Sequence, residues 1–483
     1  MFWYLIISYF IIIAIPIITS IIYDKRDPVK SISWILVVIF LPYIGSFLYL
    51  TFGQNYRKKR LFSRKSSIDF QHTESLISKQ LFQINSPNFK SDTDESSHLE
   101  RDISTLLLNI NKSPLFVNSK VDVLESGESW FAVLKSDLKE ARSSIHIESY
   151  IIKDDVIGNE IIDIISEKAQ EGVEVRVIYD AVGSWNLSRK YVNSIRKRGV
   201  DIRPFMPVVF PLFTSKANHR NHRKIIVIDG KIGYTGGMNI ADKYIHGLPH
   251  LGAWRDIHLR IEGKNVYTLQ RIFMADWGFV SKCRLSINSK YFPRIDEPIE
   301  GGVALQVASS GPDSDWASIM HAFFGAITKA TESIYISTPY FLPNQSILTA
   351  LKVAAQSGID VKLIIPGRSD TKLVFWATRS YITELLNAGI KVFFYNKGFI
   401  HSKLIIIDGK VSSVGSANMD IRSFEDNFEV TAFIYNSQVS RELSEVFEVD
   451  LRNSRKINLR WWLHRSLLYR SYEATSRLLA PLL

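Results

Sequence analysis

Cysteine is all but missing from this chain: Cys283 is the only one in 483 residues. That excludes an intrachain disulfide and a cysteine-built metal cluster. Charge is missing from two long stretches. Phe2 to Tyr23 and Ser31 to Gln54 contain no Asp, Glu, Lys or Arg. No basic residue precedes the first stretch and no small-residue cleavage site follows it, which argues against a signal peptide. At about 1.5 Å per residue, 22 helical residues reach roughly 33 Å, enough for a bilayer core. The two runs, each carrying a tolerated proline (Pro16, Pro42), are expected to form a two-helix transmembrane hairpin.

Charge elsewhere is plentiful and lopsided. Lys and Arg number 59 against 48 Asp and Glu, a net charge of +11 that suits an anionic partner such as lipid or nucleic acid. Three basic residues (Lys25, Arg26, Lys30) lie between the two runs, and six (Arg57, Lys58, Lys59, Arg60, Arg64, Lys65) follow the second. The excess after the second run predicts that the bulk of the chain is cytoplasmic.

The rest of the chain divides by pattern. Residues 57–114 are polar and Ser-rich and read as a linker, in part helical. Beyond them strand-like and helix-like segments alternate, as in α/β layers. The order then repeats. Ala141-Arg-Ser-Ser-Ile-His-Ile matches Ala330-Thr-Glu-Ser-Ile-Tyr-Ile, Gly172-Val-Glu-Val-Arg-Val-Ile matches Gly358-Ile-Asp-Val-Lys-Leu-Ile, and Gly199-Val-Asp-Ile matches Gly389-Ile-Lys-Val, at offsets of 189, 186 and 190 residues. A duplicated domain follows, with copies over 115–295 and 296–450. A shared site is expected where the copies face each other. Residues 451–483 mix Arg and Lys with Trp461, Trp462, Leu467 and Leu468, as an interfacial helix on an anionic surface would.

The closest internal match carries the chemistry. His222-Arg-Lys224 leads through Ile225 to Ile228 into Asp229-Gly-Lys, then Gly236-Gly237-Met-Asn239. His401-Ser-Lys403 leads at identical spacing to Asp408-Gly-Lys and Gly415-Ser416-Ala-Asn418. Residues two apart on a strand share a face, so each histidine points with its lysine. Two His and two Lys in one pocket suit phosphoryl transfer without a metal. One imidazole attacks phosphorus and the other protonates the leaving alcohol, while Lys224, Lys403, Asn239 and Asn418 neutralise phosphate oxygens. Gly236 is placed for close backbone approach to the phosphate, and Ser416 for a hydroxyl contact. Asp229 and Asp408 belong to the motif and are counted with the catalytic set, although Asp-Gly is a tight-turn dipeptide and the turn is their main role. With lysine on the same face and no acidic neighbour, neither histidine is a metal ligand. His219 lacks the spacing and is a bystander. An orienting acceptor is expected for each imidazole: Asp256, 34 residues after His222, and Glu429, 28 residues after His401.

This His-x-Lys-x4-Asp pair resembles the motif of the phospholipase D superfamily, over roughly residues 115–450. Trp34-Ile-Leu, Pro42-Tyr-Ile-Gly45, Tyr49-Leu-Thr-Phe-Gly53 and the ending Glu473-Ala-Thr-Ser-Arg477-Leu-Leu-Ala-Pro481-Leu-Leu are similar to segments of bacterial cardiolipin synthases. The resemblance implies two α/β/α sandwich domains with mixed central sheets after the hairpin, and a multi-pass enzyme of the plasma membrane. It implies transfer of a phosphatidyl group between two phosphatidylglycerol molecules, with no cofactor and no metal. By the same analogy His222 is the nucleophile and His401 the acid and base, with the reverse assignment open. Hydrolysis to phosphatidic acid needs the same residues. A nuclease would need a basic aromatic platform that is not evident, and a non-enzymatic scaffold would not keep two complete motifs.

Overall fold

The computed structural model describes residues 4, 8–23, 28–53, 71–84, 97–207, 219–295, 299–478 and 480. They fall into two compact units: residues 1–67 with 208–219, and the remainder of the chain.

The smaller unit is helical. Residues 8–23 form one continuous helix with a wide turn over Phe10–Ala14, and Pro28–Phe40 forms a second. Tyr9 fastens them, its hydroxyl donating to the Val38 carbonyl at 2.8 Å and meeting Ser46 Oγ at 2.7 Å. The second uncharged run, expected as a single helix over 31–54, begins earlier and breaks at Leu41–Tyr43. Proline restrains the residue before it, and Tyr43 then takes φ 64° before short helical pieces resume at Ile44–Leu48 and Tyr49–Gly53. Among the described residues no helix is long and apolar enough to cross a membrane. The charges at 25–26 and 57–65 lie outside the described residues.

In the larger unit the first repeat supplies strands β1 (Phe116–Leu124), β2 (Ser144–Ser149), β3 (Glu174–Asp180), β4 (Asp201–Phe205), β5 (Ile225–Ile228), β6 (Ile232–Gly236), β7 (Ala253–Arg255) and β8 (His258–Gly263). The second supplies β9 (Val303–Ser310), β10 (Ser333–Ser337), β11 (Phe341–Leu342), β12 (Asp360–Pro366), β13 (Lys391–Tyr395), β14 (Gly398–Ile400), β15 (Leu404–Ile407), β16 (Val411–Gly415), β17 (Met419–Asp420), β18 (Glu429–Tyr435) and β19 (Ser454–Lys456). Fifteen of them make one sheet, in the order β19-β13-β12-β10-β15-β16-β18-β9-β1-β8-β6-β5-β2-β3-β4. Each half is mixed: β2, β3 and β4 run parallel, as do β10, β12 and β13, while the strands towards the centre are antiparallel. The order reads alike outward from the middle, as duplication requires. The copies do not hold separate sheets, however. β1 and β9 pair antiparallel at Phe116↔Leu305 and Ser119↔Val303 and fuse the halves.

Helices cover the sheet because their apolar stripes demand it. Asp155 caps the helix Val156–Gln170, whose Ile157, Ile161, Ile162, Ile164 and Ile165 are buried. The segment 57–114 is more than a linker. Its helices Gln71–Ile84 and Ser97–Asn111 bury Ile77, Ile84, Leu99, Ile103, Leu107 and Leu108 in the core of the second half. Leu99, Ile103 and Leu107 recur at intervals of four, one face of a helix in otherwise polar sequence. The C-terminal segment is partly docked as well. β19 adds to the sheet edge, Trp462 is fully buried, and Trp376 stacks on Tyr469, while Trp461, Leu463, Leu467 and Leu468 stay exposed.

The motif aspartates sit at the end of β5 and β15 remote from the histidines. Asp229 and Asp408 take φ 53° and 54°, each followed by a positive-φ glycine, which is the geometry of a two-residue hairpin turn. Asp229 accepts from the backbone amides of Arg142, Ser143 and Ser144 at 2.7–2.9 Å, and Asp408 from those of Thr331, Glu332 and Ser333 at 2.8–2.9 Å. About 13 Å of strand separates them from the histidine end. Their place in the catalytic set is therefore corrected: they clamp the turn to the start of β2 and β10. D229A or D408A should cost about 1–3 kcal/mol and lower the melting temperature, because three backbone amides at each turn lose their shared acceptor. Specific activity of the folded protein should stay within a few-fold. An unchanged melting temperature with abolished activity would restore the catalytic reading.

Candidate active site

Each histidine is held by the opposite repeat. Backbone contacts set this up. The amide of His222 donates to the Phe428 carbonyl at 2.9 Å and the amide of Phe428 to Arg220 at 2.9 Å, while β7 pairs parallel with β14 and the amide of His401 donates to Arg255 at 2.7 Å. These exchanges bring Glu429 to His222 and Asp256 to His401. His222 Nδ1 lies 3.0 Å from both Glu429 oxygens, and His401 Nδ1 lies 2.6 Å from Asp256 Oδ2. The expected pairing within a repeat is thus reversed: spacing along the chain pointed to the near carboxylate, and the seam delivers the far one. With Nδ1 engaged, Nε2 of each ring makes no hydrogen bond among the described residues.

Lys224 and Lys403 curl back, each donating to its own histidine's carbonyl. Lys403 Nζ also lies 2.9 Å from His401 Nδ1. The four side chains are close enough for their charges to act on one another. Burial pushes His222 down to about 4, with Glu429 opposing. Burial, then Lys403, Lys243 and Lys224, hold His401 well below its ordinary value. Burial likewise lowers Lys224 strongly and Lys403 to about 8. Burial and the neighbouring cations thus disfavour the charged form of both imidazoles, and Glu429 and Asp256 only partly supply the counter-charge that the two buried ammonium groups need. A phosphodiester anion would supply it.

The two carboxylates differ. Burial alone would raise Glu429, but His222, Lys224 and the Ser416 hydroxyl together hold it below the usual carboxylate value. Ser416 Oγ donates directly to Glu429. Asp256 is raised by burial to about 6, against the pull of Lys403. Gly237 stands where the second motif has Ser416, and a Cβ there would fall 2.1 Å from Asp256 Oδ1. Ser416 thus contacts a carboxylate, not the phosphate position expected of it. Gly236 also serves packing: its Cβ would meet His258 Cα at 2.6 Å, so the glycine lets β6 pass β8. Asn239 accepts from the Ile151 amide and donates to Tyr244, which leaves one amide hydrogen. Asn418 Oδ1 is buried with no partner.

Several residues of the site escaped the sequence reading. Tyr150 meets His222 edge-on at 5.0 Å between ring centroids, and Trp254 and Tyr244 flank His401 at 5.3 and 6.2 Å. Arg223 points to the other face of β5, pairs with Asp276 and donates to the carbonyls of Glu429 and Ser310. The second motif has Ser402 there, bonded to Ser337, so no repeat signal marked it. Lys243 and Arg422 had a signal: each lies 21 residues after its histidine.

Comparison with known proteins agrees with this architecture. The family described as "Cardiolipin synthase, PLD-like domain" matches residues 134–277 and 323–451, and "Phospholipase D-nuclease N-terminal" matches 10–54. The chain is 43% identical over 460 residues to a cardiolipin synthase of Geobacillus sp. (strain WCH70), covering 95% of this chain and 90% of that one. It is 39% identical over 485 residues to the major cardiolipin synthase ClsA of Bacillus subtilis (strain 168), covering 99% of each. The crystal structure of phosphatidylserine synthase from Haemophilus influenzae Rd KW20 shares the fold, with a TM-score of 0.60 at 14% identity, over 81% of this chain and all of that one. A duplicated sheet, a twofold His-x-Lys motif and relatives matching nearly end to end lead to one assignment: the chain belongs to the bacterial cardiolipin synthases of the phospholipase D superfamily.

Proposed function

We propose that the chain is a cardiolipin synthase that joins two phosphatidylglycerol molecules and releases glycerol. The observation that carries the chemistry is the crossed pair, His222 on Glu429 and His401 on Asp256, with both Nε2 atoms left open beside two buried lysines.

His222 Nε2 attacks phosphorus as the bond to the glycerol oxygen breaks, and that oxygen takes the Nε2 proton of His401, which the imidazole carries once the bound phosphodiester anion offsets the lysine charges beside it. The resulting phosphatidyl-histidine bears a positive ring, which the ionised Glu429 beneath Nδ1 stabilises. The primary hydroxyl of the second phosphatidylglycerol then gives its proton to His401 Nε2. Its oxygen bonds phosphorus, and His222 leaves. The stronger carboxylate under His222 favours it as nucleophile. The His401–Asp256 pair, whose carboxyl titrates near 6, suits proton exchange. Lys224, Lys403, Asn418 and the free amide hydrogen of Asn239 hold the phosphate oxygens.

The substrate is a membrane lipid, and the chain's apolar surface is arranged for one. Ile12, Ile15, Ile22, Phe40, Ile44 and Phe47 of the N-terminal helices face outward. We assign these helices to the plasma membrane, crossing it as a hairpin with the catalytic repeats cytoplasmic. The exposed Trp461, Leu467 and Leu468, among Arg460 and Arg470, rest on the anionic surface.

Purified enzyme given labelled phosphatidylglycerol should yield cardiolipin and glycerol. Phosphatidic acid alone would make it a hydrolase, and no product would sink the reading. In a His401→Ala variant the label should remain on His222, and label on another residue would reverse the roles. E429Q should lower kcat on the order of 10²–10⁴-fold, and D256N likewise, because each imidazole loses the anion that holds its tautomer. A loss below a few-fold would dismiss the carboxylates as orienting groups. Lys403 is charged below about pH 8 and loses its proton as pH rises through that value. KM should therefore climb above pH 8 with kcat less affected. A KM flat to pH 10 would contradict a phosphate role for this lysine.

A further inference from the structure

One cation beside the histidines takes no part in the steps above. Lys243 opens the helical turn Lys243–His246, four residues beyond Asn239. Its ammonium lies 3.8 Å from the centroid of the Trp254 ring and 5.2 Å from that of Tyr244. Those two rings are the ones that flank His401. The cation is therefore carried on an aromatic wall that continues to the second histidine.

Among the described residues no carboxylate comes within ion-pairing distance of Lys243. Asp370, the acid whose charge acts on it most, accepts from the Tyr340 hydroxyl at 2.6 Å, and Asp256 is engaged by His401. Burial lowers Lys243 to about 8, and Lys153 and Lys403 repel it further. A part-buried ammonium beside other cations costs free energy unless an anion fills the space between them. The pseudo-symmetric cation, Arg422, is tied to Asn427 on the His222 side. The two sides of the site therefore differ, and the available cation stands on the side of the proton-exchanging histidine.

We infer that Lys243, on its Trp254 platform, binds a second phosphodiester: that of the incoming lipid alcohol. This rests on the reading that the chain makes cardiolipin. The first phosphate occupies Lys224 and Lys403. The acceptor hydroxyl has to reach His401 Nε2, and the acceptor's own phosphate follows one glycerol away. An anion site beyond His401 matches that geometry. A neutral alcohol or water carries no such group and gains nothing from Lys243, so the residue selects the acceptor, not the donor.

The test uses the full chain in phosphatidylglycerol vesicles with labelled free glycerol present. Two products are read from one sample: cardiolipin, made with the anionic acceptor, and labelled phosphatidylglycerol, made by exchange with the neutral one. K243Q should lower the ratio of cardiolipin to exchange product about tenfold or more, the loss of one charge-assisted contact. K243R should restore most of it. The ratio is independent of how much protein is folded, so partial misfolding does not blur the result. Equal loss of both products would overturn the proposal by placing Lys243 at the first phosphate, and an unchanged ratio would overturn it outright. A parent enzyme that exchanges glycerol but makes no cardiolipin would overturn the synthase reading and the subsite with it.

Discussion

The site depends on two carboxylate–imidazole contacts that cross the seam between the repeats. A buried carboxylate is costly, and a buried imidazole beside two lysines is pushed to neutrality. Placed together, the groups offset each other's cost, but only if the seam holds them at hydrogen-bond distance. Everything around the site serves that distance. The β1–β9 pairing makes the sheet continuous, so the halves cannot slide. The β7–β14 pairing and the His222–Phe428 amide contacts fix the register of each histidine against its distant carboxylate. Arg223 binds the backbone of Glu429 from the opposite face of the sheet.

The duplication is symmetric in strands and unsymmetric in side chains. Glu429 with Ser416 answers Asp256 with Gly237, Arg223 answers Ser402, and Lys243 answers Arg422. The strands put two equivalent histidines on either side of the seam. The side-chain differences then give them different partners, one strongly ionised and one close to neutral pH. Two distinct electrostatic environments come from small substitutions on an otherwise repeated frame.

Much of this was legible in the sequence, for a physical reason. A duplicated motif repeats its spacing, so His222, Lys224, His401 and Lys403 stand out twice. The uncharged runs and the basic, aromatic C-terminus declare themselves by composition. The crossed pairing did not show, because chain spacing favours the nearer carboxylate and says nothing about which strand lies across a seam. The helices within 57–114 were hidden by polar residues, although Leu99, Ile103 and Leu107 kept a helical interval. Proline at 42 was read as tolerated in a long helix, and the backbone instead turns there. The role of Asp229 and Asp408 was half legible: Asp-Gly marks a turn, while membership of the motif drew both residues into the chemistry.

The crossed contacts also bear on synthesis. His222 and Glu429 lie 207 residues apart, and Asp256 and His401 lie 145 apart. A nascent chain that has emerged only as far as the first motif has the histidine but not the carboxylate that holds it. Even when the second histidine appears, His222 still lacks its anion until residue 429 follows. Contacts of such long range also form slowly, since chain entropy must be lost before they return any stabilisation. The crossed centre therefore closes only after nearly all of the chain exists, and a product truncated before residue 429 lacks the carboxylate that holds His222.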